Sequence, residues 1–380
     1  MATRYNGESM EISANTASLA PSDAGSYWLK SFLVHFTGSF RAHLVGYQLS
    51  LGALAMAMIA VWATDQSMSV FLFFSMSLAM VMMVIFSVAA LIKLVRMIVF
   101  ERPQSPLREF WRWFRFVVMD PERLSRGLHA ILIVNFMGMA YGLLKSSIPV
   151  LVPFSWDTSF MELDRILHFG WHPWQILQPV LGHPAITFAM NFIYNIWFFI
   201  VPGFFVWVGF IMRNSDLRMQ YLAASVIAWI LGGNVFATLF SSAGPCFYTL
   251  LGNSGDPYGP LMSYLHMANG QFDIWALNVQ ETLWKGYQDG EMSVISAMPS
   301  MHIASSTLLA LVAYAHNRRF GWLMAGYAIL IFLASIHLGW HYAVDGYLGA
   351  FIAFASWRLA GWLVRRDRSR RDMVAEALAA

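Results

Sequence analysis

A single cysteine, Cys246, stands in 380 residues. One thiol excludes an internal disulfide framework and any cysteine-rich metal site. Charge is scarce as well. Only 12% of the residues are Asp, Glu, Lys or Arg, about half the roughly 25% of soluble domains, which points to lipid as the solvent. The chain has no Gly-rich phosphate loop of the nucleotide-binding type. Basic residues interleave with aromatics only where they flank apolar runs, so nucleic acid is not an expected partner. No internal repeat is visible, which counts against an inverted-repeat transporter. Met1 to Lys30 is polar and without periodicity. No apolar core follows a basic start closely enough for a signal peptide, and the segment reads as a mobile tail.

What the chain does have is apolar length. Hydrophobic residues make up 58%, with 30 Phe, 24 Met and 16 Trp. Runs long enough to cross a bilayer, roughly 17–25 residues, occur at about Leu44–Ala63, Val70–Ile92, His129–Ile148, Ile186–Ile211 and Tyr221–Phe240. Three more follow at about His302–Ala315, Phe320–His337 and His341–Val364; the first of these is short and begins inside the preceding loop. The expected fold class is therefore all-α, a polytopic membrane protein of about eight transmembrane helices, with both termini on one side.

The distribution of arginine and lysine assigns that side. Lys93, Arg96, Arg102, Arg108, Arg112, Arg115, Arg123 and Arg126 crowd one connection; Arg213 and Arg218 fill the next even-numbered one, Arg318 and Arg319 the one after. Arg365, Arg366, Arg368, Arg370 and Arg371 close the chain. The alternate connections carry Asp65; then Asp157, Glu162 and Asp164 against Arg165; then Asp256, Asp273, Glu281, Asp289 and Glu291 against Lys285. The expectation is a multi-pass integral protein of a bacterial inner membrane or a Golgi-type membrane, with cytoplasmic termini.

Pro103–Leu124 sets Arg108, Arg112 and Arg115 against Phe110, Trp111, Trp113 and Phe114 and reads as a cytoplasmic interfacial helix. The connections Trp156–Pro184 and Gly244–Ser300 mix aromatics with Gly, Pro, Asp and Asn, as interfacial helices capping a lipid-accessible cavity would. The chain divides into a tail (1–40), an N-terminal helix pair (41–100), an interfacial segment (101–128), a core (129–364) and a basic tail (365–380).

Two short stretches carry the chemistry: Met298-Pro299-Ser300-Met301-His302, and His341-Tyr342-Ala343-Val344-Asp345. Each sets a histidine at the edge of an apolar run, by the charge distribution on the extracytoplasmic face. Asp345 lies one helical turn beyond His341, on the same face. It can take one ring N–H of His341 and leave the other nitrogen free to attack phosphorus. His302 would then be the acid for the departing oxygen and later the base for an acceptor hydroxyl. Ser300 and the backbone N–H groups of the turn at Pro299–His302 are placed to hold phosphate oxygens. The bland alternative is two interfacial histidines with Asp345 as a helix cap. A carboxylate inside an apolar helix beside a histidine is expensive, which favours the functional reading.

A metal site is the other alternative, because His337, His341 and Asp345 are spaced i, i+4, i+8. Gly339 argues that the helix breaks between the histidines, which leaves His337 as a supporting or substrate-facing residue. Lys145 and Lys285 could each supply a positive charge; snorkelling and a solvated loop are their alternatives. Asn191, Tyr194 and Asn195, with Asn234, could line an acceptor pocket, although interhelical hydrogen bonding suits them better. Pro202 and Gly203 are expected to kink the fourth run.

Pro299-Ser300-Met301-His302 with Leu338-Gly339-Trp340-His341-Tyr342-Ala343-Val344-Asp345 resembles the second and third signatures of the type 2 phosphatidic acid phosphatase superfamily. The variant with Met in the first motif and W-H-Y-x2-D in the second is similar to the branch containing the inositol phosphorylceramide synthases of the aureobasidin-resistance type. The resemblance covers roughly residues 129–364. It implies a six-helix phosphatidic-acid-phosphatase-like core, His341 as nucleophile, Asp345 as its partner, His302 as acid, and Tyr342 among the substrate contacts. Two departures matter. The family arginine six residues before the nucleophile is Ser335 here, and Ser241-Ser242-Ala243-Gly244-Pro245 stands where a cationic first motif would be.

A phosphomonoester dianion needs about two cationic clamps, a phosphodiester fewer. The implied activity is a phosphotransferase moving an inositol-phosphate-like headgroup from a phospholipid donor to a lipid or sugar hydroxyl, without metal or other cofactor. A lipid phosphate phosphatase acting on phosphatidic acid or polyprenyl phosphates is the alternative. A non-catalytic lipid-binding or transport protein is the third reading.

Overall fold

Each of the eight apolar runs is helical in the computed structural model, which describes residues 21–64, 69–290 and 294–379. The first 20 residues of the expected tail, Asp65 and Glu291 lie outside the described residues. The helices are α1 (Pro21–Phe40), α2 (Leu44–Thr64), α3 (Ser69–Arg96), α4 (Pro106–Val118), α5 (Pro121–Leu151), α6 (Asp157–Leu167), α7 (Pro173–Leu181) and α8 (Pro184–Asn195). They continue as α9 (Trp197–Val206), α10 (Ser215–Ile230), α11 (Gly259–Asn269), α12 (Trp275–Gln288), α13 (Met301–His316), α14 (Arg318–His337) and α15 (Ala343–Ala379). No strand occurs among the described residues. Among the described residues, seven segments are long and apolar enough to cross a membrane, and Met301–His316 is a shorter apolar helix. The chain is an all-α, polytopic membrane protein.

Helix boundaries follow their capping residues more than their apolar edges. Asp120 caps α5 by accepting the Arg123 N–H at 2.8 Å, and Pro121 needs no donor at the first helical position. The helix therefore starts two turns before the apolar run begins at His129. Asn214 caps α10 through Leu217 N–H, and Asn317 caps α14 through the Arg319 and Phe320 N–H groups.

Pro21–Phe40, within the segment read as a tail, is helical and leads through one 3₁₀ turn (Arg41–His43) into α2. It rests on α5: Ser125 donates to the Phe32 carbonyl, and the His129 ring meets the Phe36 carbonyl at 2.9 Å. The segment after Val364, read as a basic tail, continues α15 to Ala379, with Arg371 and Asp367 paired at 3.0 Å across one turn. The fourth run is interrupted at Ile196, six residues before Pro202, and closes in a π-helical turn at Trp207–Ile211. Pro202 cannot donate to the Phe198 carbonyl, so the irregularity spreads to both sides of it.

Helices α13 and α14 form a tight hairpin around Asn317, while α10, largely buried, packs on α13 and α15. Helix α5 packs on α2 and α10, and α3 lies mostly exposed at the edge. The connections read as interfacial contain the short helices α6 and α7, and α11 and α12. They gather where α13 begins and α14 gives way to α15.

Candidate active site

Helix α14 ends at His337, and α15 begins at Ala343. Between them Gly339 takes the left-handed conformation (φ +74), which glycine adopts without a steric penalty. The Ser335 carbonyl then accepts both the Trp340 and His341 N–H groups, at 2.9 and 3.2 Å. At the position of the family arginine, this chain uses a backbone carbonyl to shape the turn. The unbroken i, i+4, i+8 helix that a His337–His341–Asp345 metal site requires is therefore absent. His337 faces elsewhere, with Nε2 2.9 Å from Thr187 Oγ1, which itself meets the Tyr264 hydroxyl at 2.7 Å.

The turn aims His341 at Asp345. Its Nδ1 lies 3.1 Å from Asp345 Oδ2, and the same oxygen accepts the Tyr342 N–H at 3.0 Å. The opposite ring nitrogen is Nε2. Burial pulls His341 down to about 3; the Ala297 carbonyl opposes this shift and the charge on Lys145 adds to it. The ring is thus neutral at pH 7, as a nucleophile must be.

His302 stands in the first turn of α13, its ring centre 6.1 Å from that of His341 and inclined by 62°. Tyr194 stacks on it at 4.4 Å and Trp197 lies 4.2 Å away. Trp197 is held by its indole N–H on Ser305 Oγ at 2.9 Å. The two motifs are tied directly, because Ser300 N–H donates to the Asp345 carbonyl at 3.0 Å. Around the pair, Ser300 Oγ, His302 Nε2, Trp340 Nε1 and Asp345 Oδ1 are buried and make no hydrogen bond among the described residues. Such atoms retain bonding capacity for phosphate oxygens and a hydroxyl.

The small polar loop that replaces the cationic motif lies against both histidine turns. The Ser242 carbonyl accepts the Ala297 N–H at 2.9 Å and Ser242 Oγ the Met298 N–H at 3.2 Å. Cys246 N–H donates to the Gly339 carbonyl at 2.9 Å. Gly244 (φ +108) approaches so closely that a Cβ there would sit 2.7 Å from the Trp340 carbonyl oxygen.

Two residues counted in the sequence only as acidic charges hold this assembly. Asp157 accepts the Ala243 and Gly244 N–H groups at 2.9 and 2.8 Å and the Tyr342 hydroxyl at 2.9 Å. Asp164, two turns further along α6, accepts the Ala343 and Val344 N–H groups at 2.8 and 3.0 Å, capping α15 directly beneath Asp345. Burial raises both carboxyls against those donors, Asp164 to about 7. Their i, i+7 spacing on one helix face was the available signal.

The remaining candidates divide. Lys145, near the end of α5, is 4% exposed and within electrostatic reach of His341. Its ammonium lies 6.0 Å from the Tyr141 ring centre. A buried lysine does not snorkel, so that alternative falls. Tyr342 is turned to Asp157 and orients it. Asn191 accepts the Ala276 N–H at 3.2 Å, pinning the start of α12, and Asn195 donates to the Asn191 carbonyl at 2.8 Å. Asn234 donates to the Tyr141 carbonyl at 3.1 Å. Asn191 and Asn234 thus join separate elements, whereas Asn195 bonds back within its own helix. Lys285 is exposed on α12.

A family model described as the PAP2 superfamily matches residues 158–359. No curated protein and no solved structure matches the chain.

Proposed function

The chain belongs to the PAP2 superfamily, whose members are phosphatases and phosphotransferases, and from that membership we propose a phosphotransferase. It would move a phosphorylated headgroup from a phospholipid donor to a lipid or sugar hydroxyl, as inositol phosphorylceramide synthases do. The observation that carries this reading is the buried pair His341–Asp345, joined at 3.1 Å, with the nucleophile's ring 6.1 Å from His302. Nε2 of His341 attacks phosphorus. The phosphorus–oxygen bond to diacylglycerol breaks, and His302 protonates the departing oxygen. The acceptor hydroxyl then gives its proton to His302 and attacks the phosphohistidine, releasing His341.

The charge inventory favours a diester donor. Lys145 is a single cation in electrostatic reach of the nucleophile, and Ser241–Pro245 contributes none. One cation, backbone N–H groups and Ser300 match the single charge of a phosphodiester better than a monoester dianion. The reading places the site at the extracytoplasmic face and the arginine-rich connections in the cytoplasm.

The test uses purified full-length protein in detergent with labelled phospholipids, with and without a ceramide or diacylglycerol acceptor, beside His341→Ala. A new phosphodiester lipid, absent with the variant, is the expected result. Free phosphate released from a monoester lipid without transfer would make the protein a phosphatase. Turnover indifferent to His341 would end the phosphohistidine mechanism.

A further inference from the structure

At the other end of α5, 16 residues before Lys145 and so about 24 Å along the helix, a second group of titratable side chains is buried. His43 and His129 stack with ring centres 4.8 Å apart and are 1% and 0% exposed. His129 uses both ring nitrogens: Nε2 on the Phe36 carbonyl at 2.9 Å and Nδ1 with the Tyr47 hydroxyl at 2.8 Å. The carbonyl can only accept, so Nε2 carries the proton and Nδ1 accepts from Tyr47. His43 uses one nitrogen, with Nδ1 on the Ser39 carbonyl at 2.9 Å. Its Nε2 is buried and makes no hydrogen bond among the described residues.

Arg218 and Arg126 are within electrostatic reach of that ring. Arg218, 3% exposed in the first turn of α10, donates to the Met212 carbonyl at 2.8 Å, while its Nε is buried without a hydrogen bond. Arg126 pairs with Glu122 at 2.5 Å, and its Nε is likewise buried without a hydrogen bond. Two guanidiniums against one carboxylate leave an excess positive charge, next to a helix N-terminus that adds to it. Burying such charge without an anion is costly.

The depth of the cluster indicates the anion. His43 immediately precedes the apolar run at Leu44, Arg126 lies three residues before the run that opens at His129, and Arg218 stands three residues before the run at Tyr221. Three spans become apolar at this level, so it coincides with lipid phosphates. Guanidinium forks match phosphate geometry, and a leaflet rich in anionic lipid would supply the ligand.

We propose that His43, Arg126 and Arg218 form a binding site for a phosphate group, at the end of the bundle opposite His302 and His341. With the anion in place, Arg126 Nε and Arg218 Nε donate to its oxygens beside the His43 ring. The site is separate from the reaction centre and binds without chemistry.

Thermal unfolding of the full-length protein in neutral detergent tests this, with inorganic phosphate against chloride at equal ionic strength, and with phosphatidylglycerol against phosphatidylcholine in mixed micelles. The expected result is a midpoint raised by several degrees, retained in His341→Ala. Arg218→Gln should weaken the apparent affinity about tenfold or more, the loss of one charge-assisted contact. If Arg218→Gln does not fold, Arg126→Gln and His43→Gln provide the same readout. A rise with inorganic phosphate identifies a free anion as sufficient; a rise with phosphatidylglycerol alone identifies a lipid headgroup. No rise with either probe, or equal rises in all three cluster variants, overturns the proposal.

Discussion

At the end of the bundle that holds His302 and His341, the buried carboxylates Asp157, Asp164 and Asp345 are bonded to backbone N–H groups; at the opposite end Glu101, Glu109 and Asp216 are paired with arginine or lysine. Asp157, Asp164 and Asp345 are 2%, 1% and 0% exposed, and together they hold the turns at Ala243–Gly244 and Tyr342–Val344. At the other end Glu101 meets Lys93 and Arg96, Glu109 meets Arg112, and Asp216 meets Arg368, all with substantial exposure. A buried carboxylate on backbone donors fixes where the chain runs. An exposed ion pair contributes about 0.2–1 kcal/mol and leaves the chain free to adjust. One end fixes the path of the chain around His302 and His341, and the other is solvated and charged.

The sharpest way to break this comparison is at His341, the proposed nucleophile. His341→Ala should lower turnover by about 10³-fold or more, with helix content by circular dichroism unchanged. Residual turnover close to that of the native protein would remove the reaction from this end altogether. Asp345→Asn comes next, with a loss on the order of 10²–10⁴-fold, because the amide no longer fixes the imidazole tautomer. Steady-state kinetics should show the loss in kcat more than in KM.

Smaller effects separate placement from chemistry. Asp164→Asn leaves one of the Ala343 and Val344 N–H groups without an acceptor and should cost about 1–3 kcal/mol in denaturant unfolding. Its pH dependence has a definite sign. The carboxyl of Asp164 is raised by burial to about 7, above an unfolded value of about 3.9. The folded state therefore binds the extra proton, and that contribution to stability is full below about pH 4 and lost as pH rises through about 7. The stability gap between native protein and Asp164→Asn should narrow from pH 5 to pH 8; a widening gap would mean that the anion is the capping form. Smallest of all, Arg368→Ala removes the pairs with Asp216 and Asp372 and should shift stability by less than about 1 kcal/mol. A larger loss would erase the contrast between the two ends.

Much of the site was legible because its signals are local. His341 and Asp345 are four residues apart, and a helical turn alone brings them together. The breaking of the helix at Gly339 followed from the glycine itself. Asp157 and Asp164 were visible only as charges in a connection, since their partners lie 86 and 179 residues away. Lys145 and Lys285 looked equivalent in sequence until one was buried toward His341 and the other exposed on α12.

The sequence by itself determined the all-α membrane architecture, its apolar helices and the closeness of His341 to Asp345. Apolar length and one-turn spacing act along the chain and need no distant partner. Tertiary structure alone decided that the loop Ser241–Pro245 would lie against both histidine turns, and that Asp157 and Asp164 would hold those turns through the backbone. Those contacts join segments far apart in the chain, and only helix packing brings such donors and acceptors within hydrogen-bond reach.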